Sequence, residues 1–111
     1  MARLLNKTKG VVLAEDVRIA ATLTEKAKGL LGKEEPEALY FKTRFGIHTF
    51  GMKFPIDCAV LDDTFTVRAM REQMNPNKGF FWNPRFSNVV ELPSGTLSRT
   101  GTEPGDVLAL E

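Results

Sequence analysis

The sequence predicts a mostly β fold, a small antiparallel sandwich or barrel-like sheet with one short helix in the N-terminal half. Short apolar runs recur along the 111 residues and are separated by turns rich in Gly and Pro, a pattern typical of antiparallel sheets. Only one segment carries the start and stop signals of a helix. No shift in composition divides the chain, so we expect residues 1–111 to form a single domain.

The strands are predicted from apolar runs and from apolar/polar alternation at period two. Two early runs lie on either side of a predicted turn at Glu15-Asp16. The run from Ile56 to Leu61 has the composition of a buried strand, and Asp62-Asp63 connects it to an alternating strand. The predicted strands are residues 11–13, 17–21, 39–41, 56–61, 65–69, 89–92 and 107–110.

The predicted helix spans residues 23–31. Thr22-Leu23-Thr24-Glu25 fits a capping box, in which the Thr22 hydroxyl and the Glu25 carboxylate each accept a hydrogen bond from the other residue's backbone N–H. Gly32 suits the position after the helix end, where φ is positive, and Pro36 blocks continuation.

Charge and composition exclude several classes of protein. The formal net charge is +1 with both signs mixed along the chain, which argues against a protein that binds the phosphate backbone of nucleic acid. No apolar run approaches the length of a membrane span, and no signal-peptide pattern opens the chain. The lone Cys58 can form no internal disulfide. We therefore expect a cytoplasmic protein with no membrane contact.

The stretch from Gly46 to Asp63 holds the chain's only histidine, its only cysteine and three aspartates. A single histidine excludes the common zinc and copper sites. Asp57 and Cys58 are adjacent on a predicted strand, so their side chains point to opposite faces and cannot share one ion without a bulge. Cys58 lies among apolar residues, as a buried and unreactive thiol would. We expect no metal and no cofactor.

The leading functional hypothesis is a non-catalytic binding module. Its ligand would be a small anion or a protein segment, held in a cleft lined by Arg44, His48, Met52, Asp57 and Glu91. Arg44 would supply charge complementarity, His48 and Asp57 directional hydrogen bonds, and Met52 an adaptable apolar wall. Alternation along the strand turns Asp57 away from the core, toward solvent or a shallow cleft. Glu91 would be a second acid, or would bond the backbone of its own turn.

A second hypothesis is a hydrolase in which His48 is the general base and Asp57 or Glu91 orients it. The structural alternative is a histidine whose ring nitrogens bond backbone carbonyls and fix a loop beside Gly46 and Gly51. That alternative is favoured, because structural networks also collect titratable groups.

A third hypothesis concerns the aromatic segment Phe80–Phe86. Consecutive aromatic residues cannot all face one side of a strand, so Phe81 and Trp82 are candidates for an exposed surface. With Lys78 and Arg85 they would suit stacking on single-stranded nucleic acid or on a peptide. The alternative, which is favoured, is a hydrophobic lid that closes the sandwich.

Four blocks occur in a characteristic order: Lys28-Gly29-Leu30-Leu31-Gly32, then GIHTFGMKFPIDCAVLDD from Gly46, then Val89-Val90-Glu91-Leu92-Pro93-Ser94-Gly95-Thr96, and finally Pro104-Gly105-Asp106. From about residue 17 to the C-terminus, the chain resembles the family called domain of unknown function 192. The resemblance implies a compact, mostly β domain of bacteria and archaea, and no established reaction. Leu31 stands where the family usually has methionine, and residues 78–88 match no firm family pattern.

Overall fold

The computed structural model describes residues 2–20, 37–44 and 46–111 and confirms a mostly β fold. Seven strands form one curled half-barrel sheet, and two further strands form a separate ribbon. The elements are β1 (Ala2–Asn6), β2 (Val11–Ile19), β3 (Ala38–Lys42), β4 (Gly46–His48), β5 (Ile56–Leu61), β6 (Val67–Met74), β7 (Gly79–Phe81), β8 (Asn88–Pro93), the helix α1 (Thr96–Thr100) and β9 (Leu108–Leu110).

The large sheet has the strand order β6-β5-β8-β3-β2-β1-β9. Its neighbours pair antiparallel, except that β2 and β3 are parallel. A bridge between Thr66 and Val107 joins the two edges of the sheet at one end. Nearby, the Leu108 amide donates to the Phe65 carbonyl at 2.9 Å and the Val67 amide donates to the Asp106 carbonyl at 2.8 Å. These bonds hold the sheet in its curled shape.

β5 lies inside the sheet, and all six of its residues are buried. Alternate residues enter two separate apolar clusters: Cys58 belongs to the cluster that also holds Ile47 and Phe80 of the ribbon, and Ala59 to the cluster that holds Leu97 of α1. We call these the ribbon-side core and the helix-side core. Because both faces of β5 are covered, neither face leads to solvent.

The ribbon consists of β4 and β7, which pair antiparallel with Ile47 opposite Phe80. These two side chains form the inner face and are 8% and 5% exposed. The Thr49 hydroxyl accepts a hydrogen bond from the Lys78 amide at 2.9 Å and donates to the Asn75 carbonyl at 2.7 Å. The ribbon therefore covers the ribbon-side core, and its other face points outward.

The structure confirms some of the sequence predictions and contradicts others. The strand at residues 56–61 is confirmed with its bounds. The turn at Glu15-Asp16 is wrong, because β2 continues through both exposed residues while its pairing with β1 shifts register. The helix predicted at residues 23–31 lies outside the described residues. Helix α1 was not predicted, since its five residues carry no helical apolar periodicity.

Asp57 is where the sequence prediction fails most informatively. Alternation separates it from Cys58 as expected, but its side chain is 0% exposed rather than turned toward solvent. Its Oδ1 accepts the Gln73 amide of β6 at 2.8 Å, and its Oδ2 accepts the Leu97 amide of α1 at 2.8 Å. Gln73 has a φ of 51° in an irregular part of the β5–β6 pairing. Asp57 therefore fastens a bent strand and the start of a helix to β5.

Replacing this carboxylate should be costly. In Asp57→Asn the amide nitrogen must face one of the two backbone N–H donors, which leaves that donor without an acceptor next to a fully buried side chain. We expect the free energy of unfolding to fall by about 2–4 kcal/mol in urea denaturation. Asp63→Asn is the matched control, because Asp63 is exposed, and it should change stability by less than about 0.5 kcal/mol. Equal effects in the two variants would contradict the fastening role.

Candidate functional site

The five side chains proposed for a single cleft do not share one surface. Arg44 and His48 are exposed, whereas Met52 is buried in the ribbon-side core. Asp57 is enclosed on the helix-side face of the large sheet. Glu91 is 4% exposed and lies on the ribbon-side face, directly opposite Cys58 in the β5–β8 register. The two carboxylates are therefore on opposite faces of the sheet.

His48 projects from the outer face of the ribbon. Its ring stacks on Phe50, with centroids 5.2 Å apart and planes 25° apart. No hydrogen bond among the described residues joins His48 to Asp57 or Glu91, and both oxygens of Asp57 already accept backbone amides. The pair that the hydrolase hypothesis requires is therefore not assembled.

The buried thiol and carboxyl groups lie side by side beneath the ribbon. Cys58 is free and fully buried, as predicted, and burial together with the nearby charges of Glu91 and Asp57 raises its thiol pKa well above the ordinary value. This suppresses the reactive thiolate. Glu91 Oε1 has no hydrogen-bond partner among the described residues, and burial raises the pKa of this carboxyl to about 7.

No cluster that could ligate a metal is formed within residues 2–20, 37–44 and 46–111, where His, Cys, Asp and Glu nowhere gather in threes. Likewise, no helix in the described ranges has the length and apolar character needed to cross a membrane.

The outer face of the ribbon carries the most exposed aromatic surface that the structure describes. Phe81 is 74% exposed and Phe50 is 56% exposed. In the antiparallel register Gly46 pairs with Phe81 and Gly79 with His48, so all four residues share the outer face. We call His48, Phe50 and Phe81 the aromatic face. The sequence indicated Phe81 as a surface candidate but did not indicate Phe50. Alternation along Gly79-Phe80-Phe81 turns Phe80 inward and Phe81 outward.

The other aromatic side chains of this region form the lid that the sequence also allowed. Trp82 is half-buried and packs edge-on against Phe80, with centroids 5.2 Å apart. Its indole N–H donates to the Phe86 carbonyl at 2.8 Å. The Arg71 guanidinium of β6 lies 4.8 Å from the centroid of the Phe80 ring, and that of Arg68 lies 5.8 Å from the Phe86 ring. Phe81 alone is turned outward while its neighbours close the core.

The segments that build the ribbon and its loops are also polarised in charge. Residues 42–54 and 75–86 contain five cationic residues and no Asp or Glu: Lys42, Arg44, Lys53, Lys78 and Arg85. All five are exposed. Arg44 donates to the Pro84 carbonyl at 3.3 Å. No salt bridge with a carboxylate of the described residues involves Lys42, Arg44, Lys78 or Arg85. The charge of these four side chains is therefore available on the surface near the ribbon.

The buried Glu91 carboxyl predicts a specific pH dependence of stability. Its pKa is raised from 4.5 to about 7 on folding, so the folded protein keeps a proton that the unfolded chain loses between these values. The stabilisation is complete below pH 4.5 and is lost as the pH rises toward 7, which lowers the free energy of unfolding by about 3 kcal/mol. Asp62, whose pKa is lowered to about 2, titrates below this window.

The measurement is urea denaturation at a series of pH values. Glu91→Gln stays neutral and should lose this part of the slope. Glu72→Gln, at an exposed position of β6, should follow the wild-type curve. Parallel curves for Glu91→Gln and the wild type would show that Glu91 ionises normally in the folded protein.

Comparisons with known proteins agree with this fold. One similar solved structure is a protein from Sinorhizobium meliloti 1021, suggested to be a transcription regulator, with a TM-score of 0.79 and 22% identity over 97% of this chain and 90% of the other. Another is a protein of unknown function from Novosphingobium aromaticivorans DSM 12444, with a TM-score of 0.82 and 21% identity over 97% of this chain and 82% of the other. At these identities they share the fold alone. The comparison with curated proteins gives no match. The model of the family described as Uncharacterized ACR, DUF192, matches residues 4–110, further toward the N-terminus than the motifs indicate, and the chain belongs to this family.

Proposed function

We propose that this protein is a non-catalytic binding module whose aromatic face docks an acidic segment of a partner protein. The observation that carries the proposal is the exposure of Phe81 and Phe50 within a cationic surround. Exposed aromatic side chains are the usual anchors of protein interfaces, because they bury a large apolar area and lose little conformational freedom. The cytoplasmic location expected from the sequence is part of the same proposal, and the free, buried thiol of Cys58 is compatible with it.

The charge around the aromatic face supports an acidic partner. Lys78 immediately precedes β7, and Arg44 and Arg85 lie in the loops beside the ribbon. The ribbon segments contain no acidic residue that could neutralise these cations from within. Carboxylates of a docked segment could pair with the cations while its apolar side chains cover Phe81 and Phe50. Such pairing would also steer the encounter of the two proteins.

A protein segment accounts for this surface better than the other ligands considered. A nucleic-acid domain normally has a pI above about 9, whereas the sequence pI here is about 7.9. The small-anion hypothesis placed Asp57 and Glu91 in one cleft, and these carboxylates are buried on opposite faces of the sheet. Two strands of three residues each also leave ribbon edges without a further strand partner in the described structure, so an extended segment could pair there.

Phe81→Ala should weaken binding of an acidic peptide by about tenfold or more, as expected for an interface anchor. The probe is a synthetic peptide of alternating Glu and Leu, and binding is followed by the fluorescence of Trp82, the only tryptophan. Ile19→Ala is the matched control, since Ile19 is a 49% exposed apolar side chain outside the ribbon. Both variants should keep the stability of the wild type within about 1 kcal/mol.

The charge requirement is tested separately. Lys78→Glu should weaken binding of the same peptide. Lys7→Glu, at an exposed position of the β1–β2 turn, should leave the affinity for the peptide unchanged. Binding should also weaken as salt is added, because the cations are exposed. A peptide with Lys in place of Glu that binds equally well would overturn the proposal. Tighter binding of oligothymidylate than of the acidic peptide would instead assign the face to single-stranded nucleic acid.

A further inference from the structure

A second concave surface lies on the helix-side face, away from the ribbon. It is a cleft of about 430 Å³ between the middle of β2, the start of β3 and the turn that joins β8 to α1. Pockets that bind small molecules have volumes of about 300–1,000 Å³, so this cleft is large enough for a small ligand. Its floor is apolar, with Leu13 and Ala38 from the helix-side core. The proposed function makes no use of it.

The rim of this cleft carries charges of both signs. Glu15 and Asp16 come from the exposed middle of β2, and Arg99 comes from the last turn of α1. Both acidic residues line the cleft at the point where β2 carries one extra residue and its pairing with β1 shifts register, so strict alternation does not apply to them. Arg99 Nη2 donates to the Leu13 carbonyl at 3.1 Å, which holds the guanidinium at the rim. No salt bridge among the described residues joins Arg99 to either carboxylate, although all three line one cleft. Opposite charges that share a cleft and remain apart can be bridged by a third group.

The turn at the end of β8 leaves its side of the cleft open. Gly95 has a φ of 92°, and a Cβ built on it would meet no atom within 4 Å. The neighbouring Ser94 is exposed and adds a hydroxyl to the lining. Thr96 is different, because its hydroxyl already donates to the Pro93 carbonyl at 2.7 Å. The open turn therefore contributes a hydroxyl group and space next to the charged rim.

We propose that this cleft binds a small zwitterion, an amino acid or short peptide, with its carboxylate on Arg99 and its ammonium group on Glu15 and Asp16. A simple anion would leave both carboxylates without a partner, and a simple cation would leave the guanidinium without one. A ligand with both charges satisfies all three side chains. Guanidinium–carboxylate pairing can be bidentate, which would fix the orientation of the ligand.

The test is an NMR titration of the ¹⁵N-labelled full chain with glycylglycine, compared with acetate and with methylammonium. We expect saturable shifts of the Ala14, Ser94 and Gly95 amides with glycylglycine. The affinity obtained from these shifts should be at least about tenfold higher than for either single-charge probe. Arg99→Gln should weaken glycylglycine binding by about tenfold, since one charge-assisted contact is lost. Lys7→Gln, at an exposed cation of the β1–β2 turn, should leave this affinity unchanged.

A second variant keeps the test independent of α1. Glu15→Gln combined with Asp16→Asn changes only exposed positions of β2. This double variant should also weaken glycylglycine binding by about tenfold, and its affinity for acetate should not fall. Equal affinity for acetate and glycylglycine would overturn the zwitterion assignment. Absence of saturable shifts at these amides, or full affinity in both variants, would overturn the site.

Discussion

The buried carboxylate of Asp57 is the constraint on which the rest of the structure depends. It accepts the Gln73 amide from one side and the Leu97 amide from the other, each at 2.8 Å. Three elements, the consecutive strands β5 and β6 and the later helix α1, thereby meet at one side chain. Both amides lie at irregular points of the backbone, so each would lose its acceptor if the carboxylate were absent, and that of Leu97 would be left buried. The packing of Leu97 into the helix-side core, and the position of the cleft beside α1, follow from this attachment.

The family motifs resolve into architecture rather than into one site. Asp106 of the terminal block is 3% exposed and accepts Asn6 Nδ2 at 2.9 Å and the Glu103 amide at 3.1 Å, which ties β1 to the turn before β9. Asp57 fastens α1, and Glu91 lies beside Cys58 under the ribbon. The aromatic face of the proposed docking surface draws His48 and Phe50 from the second motif block and Phe81 from the segment between the second and third blocks.

The sequence specified some of these features and could not specify others. Residues 56–61 form an apolar run between turn signals, so the bounds of β5 were predictable. Alternation correctly separated Asp57 from Cys58, but it cannot show that both faces of a strand are covered, so burial of Asp57 went unpredicted. Strands of three residues, as in β4 and β7, have too few positions for a period to register. Glu15 and Asp16 resembled a turn because charged residues in the middle of a strand are uncommon. The aromatic face depends on a pairing register that no single segment contains.

The two glycines beneath Phe81 have a consequence for how that ring would meet another molecule. A Cβ on Gly46 would lie 2.6 Å from the Phe80 carbonyl oxygen, and one on Gly79 would lie 3.0 Å from Phe81 Cε2. With hydrogen in both places, the ring lies against the ribbon backbone, which limits the orientations open to it. Immobilising a mobile side chain costs association about 0.5–1.5 kcal/mol. An anchor that folding has already oriented avoids most of that entropy loss, so even a small ribbon could hold a partner with few contacts.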